Sequence, residues 1–120
     1  AYIVLADCDL EQAVTICVRA RMINTGQSCI AAKRFFVEHS ISETFRKRFL
    51  EEMALYKAGN PLDEETEVGP LASSQFVQSF EKQLVVAQEL GAQFHEVARA
   101  QKNFSSRGIL DFGENLKGFE

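Results

Sequence analysis

The run Asn24-Thr25-Gly26-Gln27-Ser28-Cys29-Ile30-Ala31-Ala32 sets one thiol just past a glycine, among small uncharged neighbours. A carbonyl compound can approach a sulfur so placed. An ordinary thiol has a pKa of about 8.5, so attack at neutral pH needs positive potential, a base, or backbone N–H groups aimed at the sulfur. The turn Thr25-Gly26-Gln27-Ser28 offers such N–H groups, and the N–H of Cys29 itself is placed to hydrogen-bond a developing oxyanion. Ala31 and Ala32 are small enough to leave room beside the sulfur. Cys8 and Cys17 read instead as inert small hydrophobes, Cys17 on the apolar face of a helix.

Other constellations point to less. Three cysteines with no close pair argue against a disulfide framework, and no CxxC or neighbouring histidine suggests zinc, so a metal site is not expected. A reducing, cytoplasmic setting is the simplest fit. His39 is separated from Cys29 by an extended stretch over residues 34–38, which spans roughly 16 Å. That distance excludes a Cys–His dyad, and nothing in the spacing favours His95. The acids Asp7 and Asp9 look like helix-start groups, and Asp63, Glu64, Glu65 and Glu67 like a solvated loop. There is no GxGxxG, Walker-type loop or GxSxG.

The elements that must position Cys29 alternate, which predicts an α/β fold: a three-layer, partly parallel sheet with flanking helices. Residues 2–6 form a β-branched and aliphatic strand. Asp9 caps the next helix, with Gln12 in a capping-box place, and Leu10, Ala13, Val14 and Cys17 share its inner face. Ile16, Val18 and Ile23 make that helix apolar on other sides, so cover on more than one face is expected. Arg19 and Arg21 sit near its end, favourably for the helix dipole, and Gly26 is the expected stop.

Residues 34–38 make the second strand, a right-handed crossover candidate. Ser40 with Glu43 predicts the cap of a second helix, which carries Ile41, Phe45, Phe49, Met53 and Tyr56 on one face and ends at Gly59. Residues 60–71 are a loop broken by Pro61, Gly69 and Pro70. A third helix starts near Ser73 or Ser74, presents Phe76, Phe80, Leu84 and Ala87, and stops at Gly91. Residues 93–97 form a third strand, and Ile109-Leu110 hints at one more extended piece. No internal boundary is visible. Tyr2 opens a strand with no lead-in and the C-terminus trails off, so both ends read as cuts through a larger fold.

The chain of 120 residues is 46% hydrophobic with a net charge of −4, enough for one ordinary domain. Its mild acidity gives no footprint for nucleic acid, and Arg46-Lys47-Arg48 reads as a solvated helix face. No apolar run approaches the roughly 20 residues that span a bilayer, so neither a nucleic acid nor a membrane is an expected partner.

In wording and order the chain resembles the aldehyde dehydrogenases. Asn24-Thr25-Gly26-Gln27-Ser28-Cys29 matches their nucleophile signature, and Arg34-Phe35-Phe36-Val37 follows as their next strand. Gly59-Asn60-Pro61-Leu62 and Thr66-Glu67-Val68-Gly69-Pro70-Leu71 match a loop common in the family, and Gly91-Ala92 fits the end of the following helix. Residues 103–120 correspond loosely to a later strand and turn, with Arg107-Gly108 where a proline is usual.

The resemblance implies an oxidoreductase that uses NAD or NADP to oxidise a small aldehyde. A cysteine thiohemiacetal becomes a thioester, which water hydrolyses with the help of a glutamate. Cys29 would be the nucleophile, and its N–H half of the oxyanion hole. The asparagine, the glutamate base, the cofactor-binding domain and the ribose-holding glutamate fall outside these 120 residues. Residues 1–120 would then be a partial catalytic domain, inactive by itself, from a cytoplasmic homo-oligomer.

Gly26-Gln27-Ser28-Cys29-Ile30-Ala31-Ala32-Lys33-Arg34-Phe35 resembles the succinate-semialdehyde dehydrogenase branch most. Some members of that branch grip the substrate carboxylate with an arginine six residues before the cysteine, where this chain has Ile23; Met22 replaces an aromatic. A less charged aliphatic aldehyde therefore stays open as substrate. So do two other readings: a non-catalytic remnant or interaction module, and a thiol-based hydrolase or redox protein.

Overall fold

The computed structural model describes residues 1–98 and 107–111. It forms two compact units, Ala1–Gly69 and Pro70–Glu120, which divide inside the loop at 60–71 where the sequence shows no boundary.

In the first unit, strand β1 (Tyr2–Val4) pairs in parallel with β2 (Phe35–Val37), Tyr2 opposite Phe35, Ile3 opposite Phe36 and Val4 opposite Val37. Parallel pairing needs a crossover, and helix α1 (Leu10–Met22) supplies it. Asp9 caps α1 as expected: its carboxylate accepts from the Gln12 N–H at 3.0 Å.

Helix α2 (His39–Ala54) differs from the expectation at both ends. Its cap is Glu38, not Ser40, which lies one residue inside the helix. The Glu38 N–H donates to Val4 O at 2.9 Å, a last bond of the ladder that brings the chain straight from strand into helix. The Glu38 carboxylate then accepts from the Ala6 N–H (2.8 Å) and the Ser40 hydroxyl (3.2 Å). At its other end α2 stops at Ala54, well before Gly59. The chain leaves the helix early because Ala58 bridges Val68 in parallel: Lys57 O accepts from the N–H groups of Glu67 and Val68, and the Gly59 N–H donates to Val68 O. That pairing spans ten residues and leaves no local mark.

The core lies between α1 and α2 and under the sheet. Val14, Cys17, Val18 and Ala20 of α1 are buried, as are Phe45, Phe49 and Met53 of α2. Aromatic rings link strands to helix: Tyr2 stands 5.7 Å from Phe35, Phe35 is edge-on to Phe49 at 5.2 Å, and Phe49 lies 5.7 Å from Phe45. Cover on further faces of α1 holds for Val18; Ile16 and Ile23 are exposed. So are the cross-strand partners Ile3 and Phe36, on the face where a three-layer plan places another layer.

Arg48 does more than solvate a helix face. Its guanidinium engages both oxygens of the Glu11 carboxylate, joining α2 to α1, and also bonds Glu51. The bond to Arg48 holds the Glu11 carboxyl below its ordinary value. A depressed carboxyl stabilises the fold above its unfolded pKa, and that contribution vanishes as pH falls through the folded value. The stability lost in Arg48→Met should therefore be largest near pH 7 and shrink toward pH 3, read from urea midpoints at each pH. High salt should shrink it too.

In the second unit, helix α3 (Ser74–Glu89) is capped by Ser73, whose hydroxyl accepts from the Phe76 N–H at 3.3 Å. It stops as expected at Gly91, whose φ of +94° lets the Gly91 and Ala92 N–H groups return to Gln88 O and Ala87 O. Its expected apolar face is only partly covered: Ala87 is buried, Phe80 and Leu84 are half-buried, and Phe76 is exposed. Strand β3 (Gln93–Ala98) pairs antiparallel with β4 (Arg107–Asp111), which contains the extended Ile109-Leu110. Residues 99–106 and 112–120, where most of the loosest family correspondence falls, lie outside the described residues. Among the described residues no helix is long and apolar enough to cross a membrane.

Candidate functional site

Helix α1 ends at Met22, four residues before the glycine expected to stop it. Three consecutive residues then take left-handed backbone: Asn24 (φ 49°), Thr25 (φ 58°) and Gly26 (φ 74°). Asparagine and glycine enter that region readily; a β-branched threonine does not. Tertiary bonds hold it there. The Thr25 hydroxyl accepts from the Gly69 N–H at 3.2 Å, fastening the turn to the end of the 60–69 loop. The Gln27 N–H closes the turn onto Asn24 O at 3.0 Å.

A second turn follows, with the Ala31 N–H donating to Ser28 O at 3.1 Å. Cys29 is at its first corner and is exposed. Among the described residues the Cys29 N–H bonds to nothing, so it is available to an incoming oxygen. Ala31 and Ala32 are buried, and the Ala32 N–H donates to Ala20 O, which ties the segment to α1. The neighbour left standing in solvent is Ile30, 74% exposed.

Arg21 is the residue whose part in this site the sequence hides. Its Nη1 donates to Ala32 O at 2.7 Å and its Nη2 to Gly26 O, so the guanidinium engages backbone on both sides of Cys29. Burial pushes its pKa down. The local pattern suggests only a helix-dipole role; the available clue is an arginine at the end of an apolar helix with a glycine five residues on.

The other thiols differ from Cys29. Cys17 is buried, and burial, with Cys8 adding to it, pushes its thiol pKa up. Cys8 is half-buried. His39 opens α2 on the far side of β2 in the chain, and His95 belongs to the second unit, on β3. No group of three or more metal-ligating side chains gathers among the described residues. The turn from β1 into α1, Leu5-Ala6-Asp7-Cys8-Asp9, carries two carboxylates and no glycine, so it does not fit a dinucleotide pyrophosphate.

Comparison with known proteins identifies the family. The aldehyde dehydrogenase family profile matches residues 1–107. The succinate-semialdehyde dehydrogenase [NADP(+)] of Mycobacterium avium is 46% identical over 91 residues, which is 76% of this chain and 19% of that protein. The probable succinate-semialdehyde dehydrogenase [NADP(+)] of Synechocystis is 50% identical over 72 residues, 60% of this chain and 16% of that protein. Among solved structures, the glyceraldehyde-3-phosphate dehydrogenase GapN of Methanocaldococcus jannaschii, complexed with NADP, superposes with a TM-score of 0.84 at 34% identity, covering 91% of this chain and 24% of the other. The aldehyde dehydrogenase KauB of Pseudomonas aeruginosa gives 0.85 at 30% identity, covering 93% and 24%. The chain thus spans about a fifth of the length of the relatives it matches. A match running through Cys29 and its supporting loop, over most of these residues, means that the chain belongs to the aldehyde dehydrogenase family.

Proposed function

We propose that these residues are the nucleophile-bearing part of the catalytic domain of an NAD(P)-dependent aldehyde-oxidising enzyme, with Cys29 as the attacking group. The exposed thiol at a turn corner, beside its own unbonded N–H, carries this reading. The Cys29 thiolate adds to the aldehyde carbon, the carbonyl electron pair moves to oxygen, and a proton taken up there completes a thiohemiacetal. While the oxygen is charged, the Cys29 N–H donates to it.

A nicotinamide, when bound, would accept the electron pair that takes the adduct to the acid oxidation level. These 120 residues, about a fifth of the length of the relatives they match, are expected to give no steady NADH or NADPH by themselves. Full activity belongs to a larger assembly, and the bare pair Ile3 and Phe36 makes self-association an expectation.

Succinate semialdehyde is the first substrate to test, since the relatives carry that name. Ile23 brings no charge to a substrate carboxylate, and Arg21 is occupied by two carbonyls, so a less charged aliphatic aldehyde is the second.

The test is competition at the thiol. Iodoacetamide should label Cys29 faster than free glutathione at equal pH, by peptide mapping. Succinate semialdehyde should slow that labelling saturably while leaving Cys8 untouched, and Cys29→Ser should abolish the fast phase. Labelling no faster than glutathione, or slowed equally at every thiol, defeats the proposal.

A further inference from the structure

We propose that Arg21 is the positioning residue of the Cys29 turn, its guanidinium bridging the carbonyls of Gly26 and Ala32 so that the segment between them holds sulfur and N–H in one arrangement. Gly26 and Ala32 lie three residues to either side of Cys29. Between them the backbone closes on local turn bonds, Gln27 to Asn24 and Ala31 to Ser28. A planar fork with several donors can hold two such acceptors at once; a lysine ammonium cannot match that geometry.

The fit is close enough to dictate a neighbour. A Cβ on Gly26 would lie 2.0 Å from Nη2, 2.9 Å from Cζ and 3.0 Å from Nε of Arg21. The guanidinium fills the space of the side chain that residue 26 lacks. Among the described residues no carboxylate pairs with Arg21, and two of its N–H groups go to carbonyl oxygens.

Only the catalytic consequence rests on the reading of Cys29 as nucleophile; the bridge is tested by itself. In the chain, Arg21→Met should speed amide hydrogen exchange at Gln27, Ala31 and Ala32 at least tenfold, with Phe45, Phe49 and Met53 of α2 within twofold of wild type. The same variant should slow Cys29 alkylation at pH 7 about fivefold by loosening the turn that holds its sulfur. Arg21→Lys should recover part of the alkylation rate but not the exchange protection.

Unchanged exchange at the three amides, an equal rise throughout α2, or full protection by lysine would each overturn the proposal. Should Arg21→Met not fold, Arg21→Gln takes its place, and the same outcomes decide. Wild-type Cys29 reacting like glutathione would remove the catalytic reading while the exchange data still judged Arg21.

Discussion

Phe49→Ala is expected to remove about 3–5 kcal/mol of stability, the usual range for deleting a core aromatic. Phe49 is 1% exposed and meets two rings, Phe35 from β2 at 5.2 Å and Phe45 one helical turn away at 5.7 Å. It therefore joins strand to helix, and truncation loses transfer energy, edge-to-face contact and packing together. A domain of this size is stable by only about 5–15 kcal/mol in all. The urea midpoint should fall steeply with little change in slope. Far-UV circular dichroism is the probe of choice, because the chain has no tryptophan. A loss below about 1 kcal/mol would mean that the site closes over the missing ring and that Phe49 does not centre the core.

Gly26→Ala is expected to cost about 2–5 kcal/mol from two separate causes. An L-residue at φ 74° pays roughly 1–2 kcal/mol for left-handed backbone. The new methyl would also stand 2.0 Å from the Arg21 guanidinium, and overpacking of that kind adds about 1–3 kcal/mol. Pairing the change with Arg21→Met separates them. Removing the guanidinium should relieve the second cost and leave the first, so the double variant should be more stable than the sum of the two single losses predicts. Strict additivity would mean that Arg21 and Gly26 do not act on each other.

Much of the frame around Cys29 is legible in the residues, and the reason is local. Asp9 and Ser73 cap because a short side-chain oxygen reaches an N–H three residues on. Gly91 ends α3 because its φ of +94° suits few other residues. The spacing of Phe45, Phe49 and Met53 marks the buried face of α2 without help from the rest of the chain. What escapes is set at a distance. Ser40 loses the cap because Glu38 is held by Val4 and Ala6, over thirty residues away. The α2 terminus moves to Ala54 because Val68 claims Ala58.

Within the site the same division holds. Cys29 and the turn around it can be read from small residues and a glycine. The hold of Arg21 on Ala32, eleven residues away, and of Gly69 on Thr25, forty-four away, has no local pattern. The burial of the alanines after Cys29 is likewise not legible locally, since small residues suit an open surface and a tight core equally well.

Position 25 must satisfy two demands that few amino acids meet together: an oxygen for the Gly69 N–H and a left-handed backbone. In a library randomised at that codon and selected for folding, asparagine and aspartate should be enriched, since both carry the oxygen and tolerate the conformation. Valine matches the shape of threonine but brings no oxygen, and should be among the first variants lost.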